Sequence, residues 1–353
     1  MSEHDEVVEG LLAGEHRALA RAISIIENRA PGYRKLVSRC YSHTGGASVV
    51  GVTGSPGAGK STLVDKLAEA YRERGETVGI IAIDPSSPFT GGAVLGDRIR
   101  MASAIGDMDV FIRSMSARGT LGGLSAATID AVTAMDAFGK DRIIIETVGA
   151  GQNEVDIMRA AETVAVLVPP GSGDGVQTLK AGILEIADIF VVNKADREGA
   201  DRTVSELREM LELGAGASAA GHHGVRTGNR SVTATQQDGE ETAWQPPIVE
   251  TVATSGEGVG SLLDSLAAHR QHLEQSGGDR QRARTRSAAL LQTVLREDIN
   301  ALLEAELDAH GGLDALAAAI AAGEQDPYTV ADTVLEPLEA CLSDGRHREQ
   351  DTD

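Results

Sequence analysis

Cysteine is nearly absent: the 353 residues hold two, Cys40 and Cys341, close to opposite ends. That is too few for a disulfide framework or a thiolate zinc site, so two free thiols in a reducing cytoplasm are expected. Long hydrophobic runs are also missing. Each apolar stretch breaks well before the ~20 residues a membrane span requires, and residues 1–10 are acidic and polar, unlike a secretory leader. Basic residues are in deficit, with 32 Lys and Arg against 53 Asp and Glu and a formal charge of -21. The balance argues against a nucleic-acid partner, which needs a basic footprint, and against anionic membrane, which repels the same field. A cytoplasmic protein is expected.

The deficit is uneven. Acids and bases cancel at six each over residues 1–44, whereas 28 acids face 13 bases from residue 197 onward. Only six of the basic residues are Lys. Short acids in place of Lys suit a halophilic cytoplasm of very high salt, where screening weakens self-repulsion; a GC-rich genome, which favours Arg, gives the same bias. Aromatics are scarce at 3%, so Ala, Val, Ile and Leu must fill the core.

What is present has a clear order. Apolar positions at helical spacing run through residues 7–26, at Val8, Leu11, Leu12, Leu19, Ala22 and Ile26, and a second short helix is predicted after Pro31. Short apolar runs then occupy 48–53, 78–83, 110–113, 142–147, 164–168 and 189–192, with a further strand predicted at 247–253. Helical stretches at 61–74, 99–105, 124–138 and 176–186 lie between them. Continuous strands interleaved with helices indicate an α/β fold around a mostly parallel sheet buried on both faces. Residues 214–245, rich in Ala, Gly, Ser and Thr, read as a low-complexity loop. From residue 260 the pattern is helical again, at 262–272, 282–307, 313–322 and 330–342.

Gly54-Ser55-Pro56-Gly57-Ala58-Gly59-Lys60-Ser61-Thr62 is a complete Gly-x-x-x-x-Gly-Lys-Ser phosphate loop between a predicted strand and helix. Its glycines allow successive N–H groups to turn inward around a phosphate, beside the positive end of the helix. Lys60 is expected to reach the β- and γ-phosphates and Ser61 to bind Mg²⁺. A nucleoside triphosphatase is implied.

Asn193-Lys194-Ala195-Asp196 at a strand end selects the base. An Asp there can accept both N–H donors, ring N1–H and exocyclic amino, on the Watson–Crick edge of guanine, an arrangement adenine lacks, while Asn193 and the stem of Lys194 hold the base and brace the phosphate loop. The run Thr251-Val252-Ala253 follows the last strand, and the Ala253 N–H is expected to meet the guanine carbonyl. On the metal side, the strand over 142–145 ends in Glu146-Thr147-Val148-Gly149. Glu146 can hold a metal-bound water, and the Gly149 N–H can contact the γ-phosphate. Asp84 and Asp97 are each candidates for the oxygen shell that Mg²⁺ demands. Ala150 stands where Ras-type proteins place the Gln that orients attacking water, so slow intrinsic hydrolysis accelerated by a partner is expected. Arg98, Arg113 and Arg118 could neutralise phosphate charge from within the chain.

These motifs together resemble one family. Asp84-Pro85-Ser86-Ser87, Phe89-Thr90-Gly91-Gly92 and Leu95-Gly96-Asp97-Arg98-Ile99-Arg100-Met101 are similar to the first switch of the MeaB/ArgK GTPases, SIMIBI/G3E-type P-loop proteins. Glu146-Thr147-Val148-Gly149-Ala150-Gly151-Gln152 resembles the second switch, and Asp174-Gly175-Val176-Gln177 through Lys180-Ala181-Gly182 a third, mobile segment. The resemblance implies a P-loop GTPase domain at 45–274, an N-terminal helical extension at 1–44 and a C-terminal helical arm at 275–353 suited to a homodimer. It implies GTP as substrate with Mg²⁺, Lys60, Ser61, Asp84, Asp97 and Glu146 in the nucleotide and metal site, and Lys180 in a segment coupling nucleotide state to a partner. The implied partner is a cobalamin-dependent acyl-CoA mutase of the methylmalonyl-CoA type, whose cofactor delivery the GTPase gates and which it protects. A nickel-type metallochaperone GTPase would need His or Cys near the switches, and no His lies between His43 and His222. A small-molecule kinase is the third reading.

Overall fold

The computed structural model describes residues 3–85, 107–117, 126–147, 156–171, 185–220 and 244–337, with backbone only at 3, 84–85, 117 and 214–220. The chain opens with three helices, α1 (Glu3–Leu12), α2 (His16–Glu27) and α3 (Tyr33–Tyr41). The single apolar period read over 7–26 is two helices, because the chain turns at Gly14 in the left-handed region (φ 82°). Leu12, expected in the core, is the last residue of α1 and is exposed, whereas Val8, Leu11, Leu19, Ala22 and Ile26 are buried.

Seven strands follow: β1 (Ser48–Gly54), β2 (Val78–Pro85), β3 (Val110–Ala117), β4 (Arg142–Thr147), β5 (Thr163–Val168), β6 (Ile189–Asn193) and β7 (Ile248–Thr251). They form one parallel sheet in the order β3-β2-β4-β1-β5-β6-β7. β1 is central, and the chain moves from it to one side of the sheet and then to the other. Open α/β sheets bind ligands at such a switch point, beyond the carboxyl ends of the strands. β3 outruns the predicted 110–113 and pairs with β2 along its whole length, continuing through the polar residues Ser114 and Ser116, which break the apolar run.

Alternate residues of each strand serve opposite cores. Val49, Ile143, Ile145, Val164 and Val166 join α1–α3 and α5 (Ala126–Ala137). Val50, Val52, Ile144, Ala165 and Leu167 join α4 (Lys60–Glu73) and residues of a later helix, Leu262, Leu263 and Leu266. Burial on both faces is why the strands read as unbroken apolar runs.

α6 (Ala200–Ala220) continues through the first seven residues of the stretch expected to be a loop, since Ala and Gly beyond Glu212 do not break it. α7 (Val259–Ser276), α8 (Gly278–Ala309), α9 (Leu313–Ala321) and a helix over 327–337 complete the described chain. The helix expected at 99–105 and nearly all of that at 176–186 lie outside the described residues. Residues Met1–Arg286 form one compact unit and Ser287–Asp353 a second. In the second unit Leu291, Leu295, Ile299 and Leu302 are each at least half exposed at steps of four, four and three along α8, which places them on one stripe. No described helix is long and apolar enough to cross a membrane.

At the amino ends of β5 and β6 lies a polar cluster with no signature in the sequence. Asp188 accepts from the Val164 N–H (2.9 Å) and from both Arg282 nitrogens (2.9 and 2.8 Å), and its carbonyl accepts from Trp244 Nε1 (2.8 Å). Fully buried His269 lies 2.8 Å from Thr163 Oγ1 through Nδ1 and 3.3 Å from Asp188 through Nε2, with the Trp244 ring against it. Burial pushes the His269 pKa down to about 4, and the Arg282 charge adds to that, outweighing the pull of Asp188. An unfolded His titrates near 6.5. The unfolded chain therefore takes up the proton first, and acid destabilises the fold progressively from about pH 6.5 to about pH 4, by up to about 3 kcal/mol from this group. Urea unfolding at pH 7 and pH 4.5 is expected to show this loss, with a smaller pH difference in His269→Asn.

Candidate nucleotide site

β1 delivers its chain end into a tight loop that only glycine can make. Gly54 has φ 136°, and a Cβ there would sit 2.2 Å from the Leu167 carbonyl oxygen of β5. Gly57 and Gly59 also have left-handed φ, and a Cβ on Gly59 would meet Asn193 Nδ2 at 2.4 Å. The loop spans Ser55, exposed Pro56, Gly57 and buried Ala58, whose N–H donates to the Ser55 carbonyl (3.2 Å). α4 then begins at Lys60. The buried Lys60 side chain folds back along the loop, and Nζ donates to the Gly54 (2.8 Å) and Ser55 (3.0 Å) carbonyls. Its ammonium is thereby held at the loop while Thr62, two residues on, is exposed.

Ser61, in the first turn of α4, donates from Oγ to Glu146 Oε1 at 2.6 Å. Glu146 is the register partner of Val52 on β1 and of Ala82 on β2, and its side chain is 1% exposed. It follows Ile144 by two residues and so shares the face packed on α4. Two expected metal-site residues distant in sequence are thus in contact. Asp84 is the penultimate residue of β2, paired with Ser116 and two positions beyond Ala82, so its backbone lies at the same strand ends. Asp97, Gly149, Arg98, Arg118, Lys180 and the run from Ala150 to Glu154 lie outside the described residues. Arg113, a candidate for neutralising phosphate charge, is instead paired with Glu27 of α2.

The base-side motif is braced against the phosphate loop. The buried Asn193 carboxamide donates to the Ala58 carbonyl (2.7 Å) and accepts from Thr251 Oγ1 and the Ala253 N–H (3.1 Å each). Lys194 Nζ donates to the Gly57 carbonyl (2.7 Å). Lys194 also takes φ 63°, a conformation that costs a non-glycine residue roughly 1–2 kcal/mol and that the surrounding bonds maintain. Asp196 is exposed. The Ala253 N–H, expected to face a guanine carbonyl, is engaged by Asn193 because that amide oxygen is the buried acceptor beside it. Val252 turns the chain by pairing its N–H with the Glu257 carbonyl (3.0 Å), and exposed Thr254 follows.

Two threonines make a contact here that their motifs do not signal. Thr147 Oγ1 donates to Thr53 Oγ1 at 2.8 Å, and both residues are fully buried at adjoining strand ends. Thr scattered in apolar strands carries no signal until the register is known.

Asn193→Ala removes a donor to the phosphate loop and an acceptor for two groups of the β7 turn. Calorimetric titration with GDP is expected to show affinity reduced at least about tenfold, since each buried bond contributes about 1 kcal/mol and the abandoned partners cost more.

The comparisons agree with this architecture. A family model described as "Methylmalonyl Co-A mutase-associated GTPase MeaB" matches residues 19–308. A Pyrococcus horikoshii protein, itself named only at the level of a GTPase, is 46% identical over 96% of this chain and 99% of its own. GTPase ArgK of Escherichia coli is 31% identical over 83% of this chain and 84% of its own. The mouse protein named methylmalonic aciduria type A homolog, mitochondrial, is 27% identical over 95% of this chain and 80% of its own. The crystal structure of a LAO/AO transport system kinase shares the fold with a TM-score of 0.63, at 23% identity over 96% of this chain and 99% of its own. With its phosphate loop, its Asn-Lys-x-Asp strand end and this family match over most of its length, the chain belongs to the MeaB/ArgK family of GTPases.

Proposed function

We propose that the protein uses GTP hydrolysis as a conformational timer in the service of a cobalamin-dependent acyl-CoA mutase of the methylmalonyl-CoA type, gating cofactor delivery and protecting the enzyme. The observation that carries this reading is the family match across residues 19–308, whose description names association with that mutase. The mouse relative, named for methylmalonic aciduria, points the same way.

In this reading Lys60 and the N–H groups of the loop, Pro56 excepted, stabilise the charge spread over the transferring phosphoryl oxygens. The Ser61 hydroxyl and Glu146 carboxylate, already in contact, form an all-oxygen pair suited to a hard cation, and Asp84 and Asp97 complete the set for Mg²⁺. Bound Mg²⁺ supplies neutralisation of the phosphate charge. The Gly149 N–H meets the γ-phosphate, Asp196 takes the two guanine donors, and Thr251, Val252 and Ala253 shape the turn that closes on the base. Binding and loss of the γ-phosphate order and relax residues 84–100 and 146–154, and the segment around Lys180 passes the change to the partner.

The stripe Leu291, Leu295, Ile299 and Leu302 supports a homodimer formed through the C-terminal helices, because a second copy is the simplest cover for an apolar face of this length. Light scattering is expected to give a dimer for the native chain and a monomer for Leu295→Glu/Ile299→Glu. An unchanged dimer would remove the C-terminal helices from the interface.

Lys60→Ala is expected to hydrolyse GTP at least about 100-fold more slowly, the scale of losing a main stabiliser of developing charge. Pull-down from cell extract with a nonhydrolysable GTP analogue, and again without nucleotide, is expected to capture a cobalamin-dependent mutase in a nucleotide-dependent manner. Capture of a nickel enzyme would overturn the mutase reading, and nucleotide-dependent phosphorylation of a small acceptor would favour a kinase.

A further inference from the structure

Glu146 and Thr147 are consecutive on β4 and point to opposite faces of the sheet. Glu146 meets Ser61 on the α4 side. Thr147 lies on the other side, in the layer that holds Val49, Ile143, Ile145 and Val166, and there it donates to Thr53. Thr53 precedes Gly54, the first residue of the phosphate loop, so the bond ties the root of the loop to the residue after Glu146. Both threonines are fully buried among apolar neighbours, where a pair of valines would fill the same shape with no polar group to satisfy. The hydroxyls differ from valine methyls in one consequence. They approach to 2.8 Å, whereas two methyl carbons rest about 3.5–4.0 Å apart. The paired register of β1 and β4 ends at Val52 and Glu146, so this bond ties the two strands one residue beyond the ladder, where valines would pack without a directional link.

We infer that Thr53 and Thr147 are a positioning pair for hydrolysis: their hydrogen bond sets the distance between the phosphate loop and the Glu146 carboxylate from the far face of the sheet. The inference rests on the site reading above, in which Ser61 and Glu146 serve the metal side. Misplacement by about 1 Å is enough to slow an enzyme by one to two orders of magnitude. Neither threonine touches the nucleotide in this account; both act through β1 and β4.

Stability and activity separate under substitution. Leaving one buried hydroxyl without its partner is costly, while replacing both by groups of the same shape is close to neutral. Thr53→Val and Thr147→Val are expected to lower the melting temperature singly, and the double variant to regain it. If the pair positions the site, the regained stability brings no regained activity: kcat for GTP in Thr53→Val/Thr147→Val stays at least about tenfold below the native value, consistent with a displacement of that size. Affinity for GDP in the absence of Mg²⁺ stays within about twofold, because Asn193 and Lys194 still brace the loop. Thr147→Ser, which keeps the hydroxyl, recovers most of the rate. Native kcat in the double valine variant, or a loss in Thr147→Ser as large as in Thr147→Val, overturns the inference. Lys60→Ala and Glu146→Ala measured alongside keep the two levels apart. If those variants are slow and the double valine variant is not, only the positioning role fails; if they too are unaffected, the site reading itself fails.

Discussion

The Asn193 carboxamide donates to the Ala58 carbonyl at 2.7 Å and accepts from Thr251 Oγ1 and the Ala253 N–H at 3.1 Å, and the geometry of the nucleotide end depends on these three bonds. Through them the tip of β6 holds the phosphate loop on one side and the turn after β7 on the other. The fit leaves no slack, since a single Cβ on Gly59 would approach Nδ2 to 2.4 Å. Buried amides in a low-dielectric setting are costly unless every group is met, which makes the arrangement specific as well as stable. Lys194 adds a second strut to Gly57, at the expense of a left-handed backbone.

The sheet makes this possible by bringing remote strand ends to one edge. β1, β4 and β6 each finish at that edge, carrying the loop, Glu146 and Asn193 respectively. Period-two alternation then divides their last residues between faces. Glu146 reaches Ser61 on the α4 face while Thr53 and Thr147 meet on the other, so the site is gripped from both sides of one strand layer. The opposite edge carries the Asp188 cluster, where Arg282 at the start of α8, His269 of α7 and Trp244 converge on the beginnings of β5 and β6. At the amino ends of its strands the first unit thus carries a buried polar network, and at the carboxyl ends the phosphate loop, Glu146 and Asn193.

The acidic composition bears little on either network. Of six lysines, Lys60 and Lys194 are fixed at the phosphate loop and Lys140 is buried, donating to the Asp109 carbonyl. Each of these three ammonium groups is held by a backbone carbonyl. The excess of acids beyond residue 197 concerns solvation and self-repulsion instead, which are properties of a surface.

By itself the sequence determined what local chemistry can determine. Gly-x-x-x-x-Gly-Lys-Ser requires a loop between strand and helix, unbroken apolar runs require a sheet covered on both faces, and Asn-Lys-x-Asp names the residues that brace the loop. All three are properties of short segments, so they survive the loss of three-dimensional information. Only the tertiary structure decided the rest. That helix α6 runs past Glu212, that Arg113 faces Glu27 rather than phosphate, that the Ala253 N–H belongs to Asn193, and that Thr53 meets Thr147 across 94 residues all follow from register and packing between distant segments. A hydroxyl, a guanidinium or an amide hydrogen has many possible partners in a sequence. Burial beside one of them, where an unmet polar group costs several kcal/mol at most and about 1 kcal/mol at least, makes the choice.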